Sequence, residues 1–138
     1  MITLTGTSFP YVQSIAGNGT TFCMTLTDAT STNFIGTSID GLIWSINNIA
    51  SCYLSYGQTI TVKNNTFYTV LRDLDGNSNL SYSSNGITWS ILSANIIINS
   101  DCLTWNDTKQ LFFAQEGISS DGINWTTVIQ PGNFLFIK

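Results

Sequence analysis

Apolar residues recur along the chain in short alternating runs separated by polar turns, and no 3.6-residue period persists over ten positions. Runs such as Phe22–Leu26, Phe67–Leu71 and Leu111–Ala114, flanked by Gly, Asn, Ser and Thr, predict short β-strands. Asp40-Gly41, Asn85-Gly86 and Asp121-Gly122 each stand between two such runs. These pairs predict tight turns, because Asn, Asp and Gly tolerate the positive φ that such turns need. The chain is therefore expected to be all-β.

The turns belong to an internal repeat. Ser38-Ile39-Asp40-Gly41-Leu42-Ile43-Trp44, Ser83-Ser84-Asn85-Gly86-Ile87-Thr88-Trp89 and Ser119-Ser120-Asp121-Gly122-Ile123-Asn124-Trp125 align without gaps. Their tryptophans are 45 residues apart (44 to 89) and 36 apart (89 to 125). Upstream of each, 15–22, 62–67 and 104–112 read as strand, polar turn, strand. The predicted unit is four antiparallel strands, A to D, in about 40 residues, the size of one β-propeller blade. Three units, approximately 12–48, 58–95 and 101–130, make up one domain spanning 1–138.

The motif Ser-x-Asp/Asn-Gly-x-x-Trp resembles the Asp-box, or bacterial neuraminidase repeat, of sialidase-type propellers. The second copy departs from it in having Asn85 where the others have Asp. The resemblance implies propeller-like blades and a structural role for Ser38, Asp40, Gly41, Trp44, Ser83, Asn85, Gly86, Trp89, Ser119, Asp121, Gly122 and Trp125. It places these turns at the blade periphery, away from the usual ligand face. Sialidases hold their substrate carboxylate with three arginines, and here Arg72 is the only one.

Composition narrows the chemistry further. The chain has no histidine, so Ser-His-Asp and Cys-His catalysis and the usual His-containing zinc sites are excluded. Its eight acidic residues form no recognisable glycosidase pair in the sequence, and no Gly-rich phosphate loop is present. No catalytic residue and no cofactor is assigned, and the expectation is that the protein is not an enzyme. The segment Asp73, Asp75, Asn77, Asn79 spaces oxygen donors as calcium loops do, yet equally suits a polar turn between strands B and C. Cys23, Cys52 and Cys102 are read as buried small hydrophobes or as one disulfide plus a free thiol.

Only 9% of residues are charged and the net charge is −4, with four basic residues scattered along the chain. That argues against nucleic acid and anionic membrane as partners. No signal peptide or membrane-spanning segment is expected.

Three blades leave two sheet edges exposed, and propellers close with four to eight. The leading expectation is a six-bladed β-propeller formed by homodimerisation. The alternative is a threefold β-trefoil or β-prism monomer. The function expected is a non-catalytic binding or structural module for a protein or glycan, in the manner of low-charge, Asn- and Ile-rich repeats of phage and giant-virus proteins, and so a virion or host-contact component. The alternatives are a small glycan-binding lectin and, behind it, a glycan-processing enzyme. The non-repeated aromatics Tyr53, Tyr56 and Trp105 are the possible ligand contacts.

Overall fold

A computed structural model describes residues 3–4, 11–28, 33–48, 59–72, 75–94, 96, 102–115 and 117–128. Within these the chain forms three four-stranded antiparallel sheets, each a simple up-and-down meander. Sheet I contains β2 (Tyr11–Gly17), β3 (Phe22–Thr27), β4 (Asn33–Ser38) and β5 (Ile43–Asn48). A short β1 (Thr3–Leu4) adds to its outer edge, parallel to β5. Sheet II contains β6 (Ile60–Lys63), β7 (Thr66–Arg72), β8 (Ser78–Ser83) and β9 (Ser90–Ser93). Sheet III contains β10 (Thr104–Asn106), β11 (Leu111–Ala114), β12 (Gly117–Ser119) and β13 (Thr126–Thr127).

Register makes the three sheets equivalent position by position. Phe22 pairs with Ser38, Phe67 with Ser83 and Phe112 with Ser119. On the other side of the same strands Gly17 pairs with Phe22, Val62 with Phe67 and Trp105 with Phe112. Asn18, Lys63 and Asn106 therefore occupy one position, at the end of strand A. Because side chains alternate across a strand, each sheet presents one face forward along the chain and one backward.

Both faces of sheet II are apolar, and it lies between its neighbours. Cys23 and Ile35 of sheet I meet Ile60 and Phe67 of sheet II. Val70 and Leu80 of sheet II meet Leu103 and Phe112 of sheet III, with Tyr68, Trp105 and Trp125 packed around them. A third cluster, Met24, Leu26, Phe34 and Trp44, sits on the backward face of sheet I. Among the described residues core clusters join sheet I to sheet II and sheet II to sheet III, and none joins sheets I and III.

Polar contacts stitch the stack at its A strands. Ile60 N–H donates to Ser14 Oγ at 3.1 Å, and the equivalent Leu103 N–H donates to Thr59 Oγ1 at 2.6 Å. Trp105 N–H likewise donates to Thr61 Oγ1 at 3.0 Å. Each is an edge-strand donor met by a hydroxyl of the sheet before it, which removes the cost of leaving a buried N–H unpaired. Cys23 is buried and Cys102 exposed, both as free thiols. Burial pushes the Cys23 thiol up to about 12, so it behaves as a small apolar side chain. Cys52 lies outside the described residues.

Candidate functional site

The three repeated turns share one hydrogen-bond pattern. In the first, Ser38 Oγ accepts from Gly41 N–H at 2.9 Å and donates to Asp40 Oδ1 at 3.0 Å. Asp40 Oδ1 accepts from the N–H groups of Leu42 and Ile43 at 2.8 and 3.0 Å, and Trp44 Nε1–H closes onto Gly41 O at 3.1 Å. The second turn repeats this with Ser83, Asn85, Gly86 and Trp89 at closely matching distances. The third does so with Ser119, Asp121, Gly122 and Trp125. In every turn one side-chain oxygen, Oδ1, accepts the two backbone N–H groups and the Ser hydroxyl, and an amide supplies it as well as a carboxylate. That is the physical reason Asn85 stands in the second copy without any change of geometry.

Charge nevertheless tunes two of the turns. The N–H groups of Ile43 and Leu42 and the Ser38 hydroxyl hold Asp40 below the usual carboxylate range. For Asp121 the backbone N–H groups of Asn124 and Ile123, then the Asn124 amide and the Ser119 hydroxyl, push it far below that range. A folded pKa below the unfolded one contributes stability that is present above the unfolded value, about 3.9, and is lost as pH falls through the folded value. Asn85 does not titrate. Thermal melts by circular dichroism from pH 7 down to pH 2 are expected to show a steeper acid loss in the natural chain than in an Asp40→Asn/Asp121→Asn variant. Superimposable acid limbs would contradict the role given to these carboxylates.

The turns also meet the neighbouring sheet. Asn18 Oδ1 caps its own turn at Thr21 N–H (2.9 Å), while its Nδ2 donates across to Asn65 O and Ser84 O at 2.9 and 3.1 Å. Lys63, at the same position of sheet II, donates from Nζ to Ser120 O at 3.0 Å. Ser84 and Ser120 are equivalent residues of the second and third turns. A donor at the end of strand A thus holds the next sheet's turn by its backbone carbonyl. Sequence comparison missed these two residues because an amide and an ammonium share no motif; the signal lies in their common register.

Trp105 packs inside the stack. Its ring meets Phe112 edge-on at 4.8 Å, Lys63 Nζ lies 4.2 Å from its centroid, and its Nε1–H donates to Asp107 Oδ1 at 2.7 Å. Tyr53, Tyr56 and Asp73 lie outside the described residues. Asp75 and Asn77 are exposed in the B–C turn of sheet II, whereas Asn79 is buried in β8. Its Nδ2 donates to Asn77 O at 3.4 Å. Among the described residues no group of three or more His, Cys, Asp or Glu converges on a point.

A shallow groove of about 480 Å³ runs between the first and second turns, lined by Thr37, Ile39, Asp40, Ile43, Asn85 and Ile87 among others. Its walls are aliphatic and polar, with the Asp40 carboxylate, the Asn85 amide and several hydroxyls, and carry no aromatic ring. One equivalent position of each turn carries an exposed aliphatic side chain: Leu42, Ile87 and Ile123. Searches of the chain against protein-family models, curated proteins and solved structures found no match.

Proposed function

We propose that this chain is a non-catalytic repeat module, three sialidase-type blades without the sialidase active site, that builds or binds through the rim of its turns. One observation carries the reading. Among the described residues three carboxylates are committed to the fold: Asp40 and Asp121 hold their turns and Asp107 holds Trp105. Asn85 does in the second turn what Asp40 and Asp121 do in theirs, so the carboxylate is there as an acceptor of backbone N–H groups.

The surface supports a protein partner over a sugar. Exposed Leu42, Ile87 and Ile123 repeat at one position of three successive turns, and a repeated apolar rim on a chain of low charge suits a protein contact. Sugar sites stack rings on aromatic faces, and the groove offers none. The order of contacts, sheet I to sheet II and sheet II to sheet III, favours propeller blades over a trefoil or prism, in which each unit would touch both others. A place in a virion or at a host contact fits this low-charge, Asn- and Ile-rich repeat.

The test is a fluorogenic glycoside panel that includes sialosides, run beside a glycan array with the intact chain. Neither turnover nor glycan binding is the expected result. Turnover would make the protein an enzyme, and saturable glycan binding without turnover would make it a lectin.

A further inference from the structure

Each sheet presents a backward face to the sheet before it, and the residues that make this contact are equivalent by register. Ile60 and Leu103 occupy the position of Ile15, and Phe67 and Phe112 that of Phe22. Where a preceding sheet exists these positions are closed: Ile60 and Leu103 are 6% and 2% exposed, and both phenylalanines 0%. Ile15 and Phe22 are 55% and 41% exposed, beside the half-exposed Val12. The same holds for the turn glycine. A Cβ on Gly86 or Gly122 would strike the preceding sheet, whereas one on Gly41 would meet only Phe22 of its own sheet, at 3.8 Å.

Sheet III carries the complementary features on its forward face. Asn106 stands where Asn18 and Lys63 stand in sheets I and II. Like Asn18, it caps its own turn through Oδ1, here at Lys109 N–H (2.9 Å). In Asn18 this arrangement turns Nδ2 toward the next sheet's turn carbonyl. Thr104 stands where Thr61 accepts the N–H of Trp105, and Cys102 where Ser14 and Thr59 accept theirs. All three are exposed. The acceptor that would answer Asn106 is the carbonyl of Ile39, the residue equivalent to Ser84 and Ser120.

We propose that the open inner half of sheet I's backward face receives the forward face of sheet III from a second copy of this chain. Two chains joined head to tail at both ends then form one ring of six sheets, within the four to eight with which such rings close. In that contact Ile15 and Phe22 are covered as Ile60 and Phe67 are, Gly17 N–H faces Thr104 Oγ1, and Asn106 Nδ2 reaches Ile39 O. The proposal rests on reading the sheets as blades of a ring and is independent of what the ring binds.

The test is the mass of the intact chain by light scattering after size exclusion. Twice the 15.1 kDa chain mass is expected. Ile15→Asp and, from the opposite face, Thr104→Lys are each expected to halve it, and Ile91→Asp on the outer strand of sheet II to leave it unchanged. Both critical sites are exposed, so circular dichroism should find each variant folded; the second serves if the first is not. As a positional readout, Ile15→Cys under a mild oxidant is expected to form a covalent dimer through Cys102 of the other copy, and Ile15→Cys/Cys102→Ser to form none. A natural chain of 15.1 kDa at tens of micromolar would overturn the proposal. So would a dimer that survives both charge substitutions, or a mass that climbs without a plateau. Glycoside turnover would overturn the functional reading and leave this result untouched.

Discussion

Phe112→Ala and Phe67→Ala are each expected to cost about 3–5 kcal/mol in urea denaturation, the usual range for removing a fully buried aromatic. Phe22→Ala, at the equivalent position, is expected to cost less than half as much in the single chain. Phe112 lies between sheets II and III, against Tyr68 at 5.1 Å and Trp105 at 4.8 Å, and within reach of Trp125. Its removal empties a site that three large rings line and that rigid strands keep from collapsing. Phe67 closes the junction of sheets I and II with Cys23, Ile35 and Ile60. Phe22 has the same local sequence setting but, among the described residues, no sheet behind it, and at 41% exposure much of its ring is in water before and after the substitution. If a second copy covers it, the loss at Phe22 grows with protein concentration while the other two losses do not. Equal losses at all three positions, at every concentration, would contradict the order of the stack.

The turn glycines give the second large effect, again with an internal control. Gly41, Gly86 and Gly122 all adopt positive φ, at 75°, 75° and 79°. Alanine in this region costs about 1–2 kcal/mol wherever it is placed. At Gly86 the added Cβ would also lie 2.7 Å from Thr37 Cγ2 and 3.2 Å from Cys23 Sγ, and at Gly122 2.8 Å from Leu80 and 3.0 Å from Leu92. These neighbours are side-chain ends in the preceding sheet, which must shift within a packed junction, and overpacking of this kind adds about 1–3 kcal/mol. Gly86→Ala and Gly122→Ala are thus expected to lose about 2–5 kcal/mol and Gly41→Ala about 1–2. On a chain of this size the difference is several degrees in melting temperature. Differential scanning fluorimetry of the three variants is enough to read it. A Gly41→Ala melt as low as the other two would mean that backbone strain alone accounts for the glycine.

The all-β class and the three units were legible in the sequence because their signals are local. Strand B of the third unit begins and ends where the apolar run Leu111–Ala114 does. The other two B strands extend only one residue at an end beyond the runs, to Thr27 in one and to Thr66 and Arg72 in the other. The start of the chain differed. Thr3 and Leu4 pair with Ile43 and Trp44 of their own sheet. A two-residue strand has no periodicity to read, and parallel pairing depends only on which edge lies near.

What the sequence by itself determined is the set of turns. Every bond that shapes one of them joins residues two or three apart, so a seven-residue motif specifies it wherever the chain goes afterwards. What only the tertiary structure decided is what each repeat faces. Phe22, Phe67 and Phe112 are equivalent in the sequence and differ in burial because, among the described residues, two of them have a preceding sheet and one does not. Asn18 and Lys63 act alike because register places them alike, across contacts 66 and 57 residues long. Such contacts form only once separate units have stacked. The physical reason is the range of the forces involved: a turn closes on its own backbone, whereas burial belongs to whichever surface arrives opposite.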